Sequence, residues 1–167
     1  MNPMLKISID KVTLNMGAGG PGEKLEKSKK LLERVSGEKS VITKARKRST
    51  FGVAKGRQMG IKVIMRGAKA EELLKRVLEA AENKIKASQF DGHGNFSIGV
   101  HEYIDMPGIK YDQAIGIMGF DVAVTLKRAG YRVSKRRIKP AKVGKKHLIT
   151  REQAVEWVKE AMRTEVI

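Results

Sequence analysis

One of two concentrated groups of chemically active side chains in this sequence is a run of cations that contains no acid. Val41 to Gly67 carries eight lysines and arginines in 27 residues, with no aspartate or glutamate. Like charges held this close repel one another, so such a run is costly unless an anionic partner neutralises it. The chemistry that these residues indicate is the binding of phosphate groups.

A second acid-free run, Lys127 to Lys146, holds ten basic residues in twenty. The two runs together contain 18 of the 35 lysines and arginines, and the rest of the chain is nearly neutral. A surplus this local is typical of a nucleic-acid-binding protein. A protein that lies on a membrane surface more often has a basic amphipathic helix, which neither run resembles. Without apolar periodicity, the second run is predicted to lack a fixed structure until it meets its partner.

Groups that could support catalysis are scarce. The chain has no cysteine, which excludes thiolate zinc sites and cysteine nucleophiles. Its three histidines lack metal-ligand spacing. Asp91, Asp105, Asp112 and Asp121 could in principle supply the carboxylates of a metal-dependent nuclease, but turn chemistry accounts for the first three. We therefore expect no enzyme activity, no metal and no cofactor.

The segment from Gly17 to Gly22 formally matches the G-x-G-x-x-G fingerprint of dinucleotide sites. Such a site also needs an acid after the next strand to hold the ribose, and here that strand leads into Lys44 and Arg46. A plain turn, or a helix N-terminus that meets an RNA phosphate, are the alternatives.

The elements that must position the cations are predicted from apolar periodicity. Alternating apolar residues mark strands that begin near Leu5, Val41, Ile61, Phe96 and Phe120. The alternation of the first strand shifts near Asp10, which indicates a β-bulge. Helices are predicted over residues 23–36 and 69–85, and a third follows a capping box that runs from Thr150 to Gln153.

This order of elements predicts a single α+β domain, residues 1–167, with helices on one face of a largely antiparallel sheet. A long basic hairpin loop, residues 46–57, should project from the sheet, and a basic extension, residues 127–147, should lead to a short final helix. The other face of the sheet is left free. Polar residues predicted to line it are Thr13, Asn15, Thr43, Lys62, Ser97 and Thr125. With eight aromatic residues in the chain, recognition should depend on the phosphates, sugars and shape of folded RNA.

No apolar segment of the sequence indicates a membrane protein. The N-terminus lacks a signal-type apolar core, and no apolar run approaches the ~20 residues that span a bilayer. The sequence therefore predicts a cytoplasmic protein.

Several blocks resemble one family. The run from Leu32 to Glu38, followed by Val41 to Arg46, is similar to the signature of large-subunit ribosomal protein number five, the 5S rRNA-binding family. Further blocks in the family's order are Ile61 to Gly67, Ser88 to Phe96, Pro107 to Asp112 and Gly119 to Val122. The segment from Lys135 to His147 and the final helix resemble archaeal and eukaryotic members. Glu38 and Arg48 depart from the usual signature.

The resemblance implies a structural role in the ribosome, without a membrane or a small-molecule substrate. Members anchor 5S rRNA in the central protuberance of the large subunit, contact large-subunit rRNA and the P-site tRNA, and bridge to small-subunit ribosomal protein number thirteen. The expected rRNA contacts are Thr13, Asn15, Gly17, Thr43, Lys44, Lys62, Arg66, Arg132, Lys135, Arg136, Arg137, Lys139, Lys145 and Lys146. The expected tRNA contacts are Arg46, Lys47, Arg48, Phe51, Lys55 and Arg57. The residues alone also leave open a basic DNA-compacting protein and a metal-dependent nuclease.

Overall fold

A computed structural model of the chain describes residues 2–48, 50 and 52–167. The strands are β1 (Ile7–Gly17), β2 (Val41–Lys44), β3 (Gln58–Met65), β4 (Lys84–Ile85), β5 (Phe96–Val100), β6 (Phe120–Arg128) and β7 (Glu165–Val166). The helices are α1 (Glu23–Ser36), α2 (Ala68–Ala80), α3 (Arg132–Lys135) and α4 (Arg151–Met162). Single 3-10 turns lie at Pro3–Leu5, Ala87–Gln89, Tyr103–Asp105 and Lys145–His147.

Five strands form one antiparallel sheet in the order β2-β3-β1-β6-β5. The first strand of the chain, β1, lies in the middle, where Leu14 is paired with Val63 on one side and Val122 on the other. All three side chains are buried. The predicted α+β fold with a largely antiparallel sheet is confirmed.

The core lies between the sheet and its helices. Along β1, Val12, Leu14 and Met16 are buried, while the residues between them face the opposite side. Leu32 of α1 and Leu74 of α2 have no exposed surface. Burying a leucine side chain contributes roughly 1.5–3 kcal/mol, so each helix is held to the sheet by its apolar stripe and not by its charged face.

Helix α1 ends at Ser36, as the sequence predicts. Gly37 takes a left-handed φ of 65°, and its amide donates to the carbonyl of Glu33 at 2.8 Å. Glycine adopts this conformation without steric cost, and the turn satisfies a carbonyl at the end of the helix.

Helix α2 is shorter than predicted, because it ends at Ala80 and not at residue 85. Glu82 and Asn83 both have positive φ, 53° and 54°, which reverses the chain. Ile85 is still buried, but it reaches the core from β4. That strand pairs in parallel with β7 near the end of the chain, and no local pattern of residues indicates this second sheet.

The predicted β-bulge in β1 is confirmed. Ile9 is opposite Leu126 and Lys11 is opposite Thr125, so Asp10 is the extra residue. A bulge leaves one residue unpaired and redirects its side chain. The Asp10 carboxylate lies 3.4 Å from Nζ of Lys127 and 2.5 Å from Nζ of Lys135.

A tight turn before β5 packs against the beginning of the last helix, α4. Gly94 has a φ of 79°, and a β-carbon there would lie 2.5 Å from Cγ2 of Ile149. Beyond Ile149, the predicted capping box is confirmed, since Thr150 and Gln153 exchange hydrogen bonds between side chain and backbone. The carboxylate of Asp91 organises the turn, accepting from the amides of His93 (2.9 Å) and Asn95 (2.7 Å) and from Nδ2 of Asn95 (2.8 Å).

This turn should make part of the protein's stability depend on pH. Burial raises the pKa of Asp91, but the hydrogen bonds from Asn95 and His93 outweigh it, and the pKa lies below its ordinary value. A carboxyl whose pKa is depressed by folding stabilises the fold above its unfolded pKa, about 3.9, and loses that effect as pH falls through the folded pKa. Asp91→Asn should therefore be less stable than wild type at pH 6, and the difference should shrink below pH 4. Urea unfolding at pH 6, 4 and 3 measures it. A difference that is constant with pH would contradict the assigned role.

Candidate nucleic-acid interface

The face of the sheet opposite the helices is accessible to solvent, and we call it the open face. It is formed by the outward positions of β1, β2, β3, β5 and β6, most of which are exposed. They are Ser8, Lys11, Thr13, Asn15, Gly17, Val41, Thr43, Lys62, Ile64, Ser97, Gly99, Asp121, Ala123, Thr125 and Lys127.

Strand register brings predicted rRNA contacts together on this face. Residues directly opposite one another in an antiparallel ladder share a face. Asn15 is opposite Lys62 in β3 and Asp121 in β6. Gly17 is opposite Gly60, which is opposite Thr43 in β2. Together with Thr13, five of the predicted rRNA-binding residues therefore lie on one surface.

The middle of the open face is nearly flat and nearly neutral. Ser97, Gly99 and Ala123 have small side chains, and Lys62 and Asp121, on the two strands that flank β1, carry opposite charges. Such a surface permits a bulky ligand to approach the backbone closely, but it does not attract an anion from a distance. The attraction must come from the cations around it.

The basic finger, residues 46–57, continues from the hairpin of β2 and β3. The Ala45 amide donates to the carbonyl of Arg57 at 2.8 Å, and the Gly56 amide donates to the carbonyl of Ala45 at 2.9 Å. Beyond this root, no described residue of the finger is buried. Arg46, Lys47, Arg48, Lys55 and Arg57 are all exposed and, within the described chain, none forms an ion pair. Phe51, a predicted tRNA contact, lies outside the described residues.

A hollow beside the finger root contains a cation that sequence reasoning missed. Asn15, Gly17 and Thr43 line it together with Lys24 from the first turn of α1. The only sequence signal for Lys24 was its place after the Gly17–Gly22 loop, where a helix N-terminus was considered. Arg57 closes the other side of that loop, since a β-carbon on Gly20 would lie 3.1 Å from its guanidinium.

Lys44 and Arg66 flank the hairpin at opposite ends. Lys44 closes β2 next to the finger, and Arg66 follows the far end of β3. Both side chains are exposed. They extend the positive charge along this edge of the sheet without joining the row that contains Asn15.

The basic extension is attached more firmly than predicted. Lys127 and Arg128 belong to β6, and Arg128 is only 6% exposed. Its guanidinium donates to the carbonyls of His147 (3.3 Å) and Leu148 (3.4 Å) and to Oε1 of Gln153 (3.0 Å). The hydroxyl of Tyr131 accepts from the Ile149 amide at 2.9 Å. The prediction of a segment without fixed structure is therefore wrong where that segment begins, at Lys127 and Arg128.

Six of the remaining cations of the extension form two groups. Arg132, Arg136, Arg137 and Lys139 line one hollow with the exposed Ile138. Lys145 and Lys146 lie apart from them, exposed in a 3-10 turn. Lys135 is paired with Asp10. Burial raises the pKa of Asp10, but Lys135 and then Lys127 lower it below its ordinary value, so the carboxyl is ionised near neutral pH.

The described residues contain no cluster of three or more acidic or histidine side chains that could hold a metal ion. None of the helices described is long and apolar enough to cross a bilayer. What the surface offers chemically is hydrogen-bond donors and positive charge arranged around a flat face.

Comparison with known proteins gives one consistent result. The family model of "Ribosomal protein L5" matches residues 2–53, and that of the "ribosomal L5P family C-terminus" matches residues 58–157. The two matches meet in the basic finger, although strands from both lie in one sheet.

The chain is also similar to curated relatives over its whole length. It is 46% identical to the large ribosomal subunit protein uL5 of Sulfurisphaera tokodaii, covering 100% of this chain and 96% of the relative. It is 46% identical to that of Nanoarchaeum equitans (99% of each) and 44% identical to that of Methanosphaera stadtmanae (96% of each). Two family models and full-length relatives together show that the chain belongs to the ribosomal protein L5 family.

Proposed function

We propose that this protein binds 5S rRNA with its open face and anchors it in the central protuberance of the large ribosomal subunit. As a member of its family it is a structural, non-enzymatic constituent of the large subunit of the cytoplasmic ribosome. The observation that carries the finer proposal is the placement of Thr13, Asn15, Gly17, Thr43 and Lys62 on one exposed surface beside the finger root.

The open face suits a folded RNA better than single-stranded bases. Proteins that read unstacked bases place aromatic rings on the sheet, and none of the outward positions of this face is aromatic. A double-stranded RNA offers instead a wide, shallow groove with 2′-hydroxyls and phosphates at its edges. Small side chains let that groove approach, Asn15 and Thr43 can hydrogen-bond the sugars, and Lys44 and Lys62 reach phosphates.

The basic finger serves a second RNA in this proposal. Its five exposed cations have no acid between them, and phosphate contacts of this kind orient a nucleic acid without reading its sequence. We propose the P-site tRNA as its partner and large-subunit rRNA as the partner of the extension. A bridge to small-subunit ribosomal protein number thirteen remains a proposal drawn from the family resemblance, with no residue assigned to it.

The nucleic acid that accompanies the protein through a native purification tests the proposal. A discrete 5S rRNA species is the expected result. Heterogeneous DNA would support a DNA-compacting protein, and RNA fragments that appear only with magnesium would support a nuclease. Either of these would overturn the proposal.

Two double variants, each of which removes two positive charges, test whether 5S rRNA binds at the open face. Lys44→Gln with Lys62→Gln should lower the slope of log K against log salt for 5S rRNA by roughly 1.4–1.8, because each lost phosphate contact removes ~0.7–0.9. The control, Lys29→Gln with Lys75→Gln, removes the same charge from exposed helix positions on the other side of the sheet. Filter binding between 50 and 300 mM salt measures both slopes. Equal slopes for the two variants would place the 5S site elsewhere.

A further inference from the structure

A cleft lies at the end of the sheet away from the finger. One wall is the beginning of β1, and the other is the end of β6 with the turn that leads into α3. Its polar lining residues are Lys6, Ser8, Asp10, Lys127, Arg128, Tyr131, Arg132 and Lys135. Ser8 is opposite Lys127 in the ladder, so both stand on the open-face side.

The charge of this cleft is strongly positive. Five basic residues line it, and Asp10 is its single acid. That carboxylate is shared between Lys127 and Lys135, and Lys6 and Arg132 are exposed without an ion pair among the described residues. One negative charge cannot balance this group, so the cleft retains an excess of positive charge that an anion would neutralise.

Arg128 also lines the cleft, but it is opposite Ile7 in the ladder, so its side chain lies on the helix side of the sheet. Its guanidinium bonds to two carbonyls and an amide oxygen but to no carboxylate, and in the described part of the chain its Nε has no hydrogen-bond partner. A buried cation that no anion compensates is costly. Because its partners are residues 147, 148 and 153, which lie outside the lining of the cleft, Arg128 is not one of the groups that would bind an anion there.

The cleft is separate from the finger root. Ser8 and Gly17 are nine positions apart along β1, which at ~3.3 Å per residue corresponds to about 30 Å. No single phosphate can contact both ends. The neutral middle of the open face lies between them.

We infer that this cleft is a second RNA-backbone site, in which Lys6, Lys127 and Arg132 bind phosphates of rRNA. The inference depends on the proposed function, because it takes rRNA as the ligand. It adds two contacts, Lys6 and Lys127, to those expected from the sequence. The phosphates could belong to 5S rRNA or to large-subunit rRNA, and the experiment separates these sources.

The test removes three charges from the cleft and three from a control surface. The cleft variant is Lys6→Gln, Lys127→Gln and Arg132→Gln, and the control is Lys29→Gln, Lys30→Gln and Lys75→Gln, all exposed on α1 and α2. Binding to 5S rRNA and to large-subunit rRNA is measured against salt. For one of the two RNAs, the cleft variant should lose roughly 2.1–2.7 from its slope, while the control keeps the wild-type slope.

The outcomes distinguish the cleft from the general function. A cleft variant that matches the control on both RNAs, while wild type binds, would overturn the cleft alone. Wild type that binds neither RNA would overturn the proposed function and the cleft with it. Because Lys127 also contacts Asp10, Lys6→Gln alone is measured in parallel, and it should lose about 0.7–0.9 of the slope.

A tethered probe gives a readout that does not depend on affinity. The chain has no cysteine, so Ser8→Cys carries a hydroxyl-radical-generating iron chelate at one site, and Lys55→Cys carries the same probe on the finger. In reconstituted large subunits, the rRNA nucleotides cut from position 8 should differ from those cut from position 55. An absence of rRNA cleavage from position 8, or cleavage of the same nucleotides from both, would overturn the inference.

Discussion

Replacing Arg46, Lys47, Arg48, Lys55 and Arg57 with glutamine should weaken tRNA binding in the P site by tenfold or more, with the fold intact. All five side chains are exposed, and surface substitutions away from packed features usually change stability by less than ~0.5 kcal/mol. If all five contact phosphates, the salt slope of tRNA binding should fall by roughly 3.5–4.5. The loss should be uniform across tRNA species, because phosphate contacts carry no sequence information.

Reconstituted ribosomes that carry the variant measure this effect, with tRNA affinity compared at several salt concentrations. The control replaces five exposed lysines that lie away from the finger and should bind tRNA normally. Its positions are Lys29, Lys30, Lys39, Lys75 and Lys159. In the isolated protein, 5S rRNA binding should weaken only slightly. A finger variant that lost 5S rRNA while keeping normal tRNA placement would show that the finger is the 5S-binding element.

Gly60→Ala should destabilise the protein by about 2 kcal/mol. A β-carbon at this position would lie 2.5 Å from the carbonyl oxygen of Met16 and 3.3 Å from Oγ1 of Thr43. The carbonyl belongs to the central strand and cannot rotate away, so β3 must shift from β1. Overpacking of this kind costs ~1–3 kcal/mol, and at ~2–4 °C per kcal/mol for a chain of this size the Tm should fall by roughly 4–8 °C.

Gly17→Ala is the matched control for this substitution. Gly17 is opposite Gly60 in the ladder, but a β-carbon there meets no atom within 4 Å. Its stability should therefore be close to wild type. Because Gly17 is a proposed rRNA contact, the same variant should weaken 5S binding, which filter binding measures. A thermal melt in which Gly17→Ala loses as much stability as Gly60→Ala would contradict this account of the finger root.

The sheet and the first helix follow from local patterns in the sequence, and the end of α2 does not. Alternation in β1 shows both its buried face and the bulge at Asp10, because each depends on neighbouring residues only. Ile85 stands four residues after Ala81 and fits the helical stripe equally well. What removes it from the helix is the reversal at Asn83 and the pairing of β4 with β7, some eighty residues later. Periodicity cannot show a contact of that range.

The positive charge of the candidate interface could be predicted from the sequence, but the burial and the neighbours of each cation could not. Counting cations located the finger and the extension, because both are runs in the sequence. Counting could not separate Arg128, which is buried among carbonyls, from Arg132, which is exposed. Nor could it connect Lys6 with Lys127, since only the register of β1 with β6 brings the beginning of the chain beside residue 127.

The central place of β1 has a consequence for how the protein is made. Strand β1 leaves the ribosome before both of its neighbours in the sheet: β3 ends at Met65, and β6 begins only at Phe120. At ~5–20 residues per second, roughly 3–11 s separate the synthesis of these two partners. During that interval the nascent chain has an unpaired edge on the strand that will become the centre of its core. Such edges are templates for pairing with other chains, so newly made protein should depend on prompt capture by a chaperone or by its RNA.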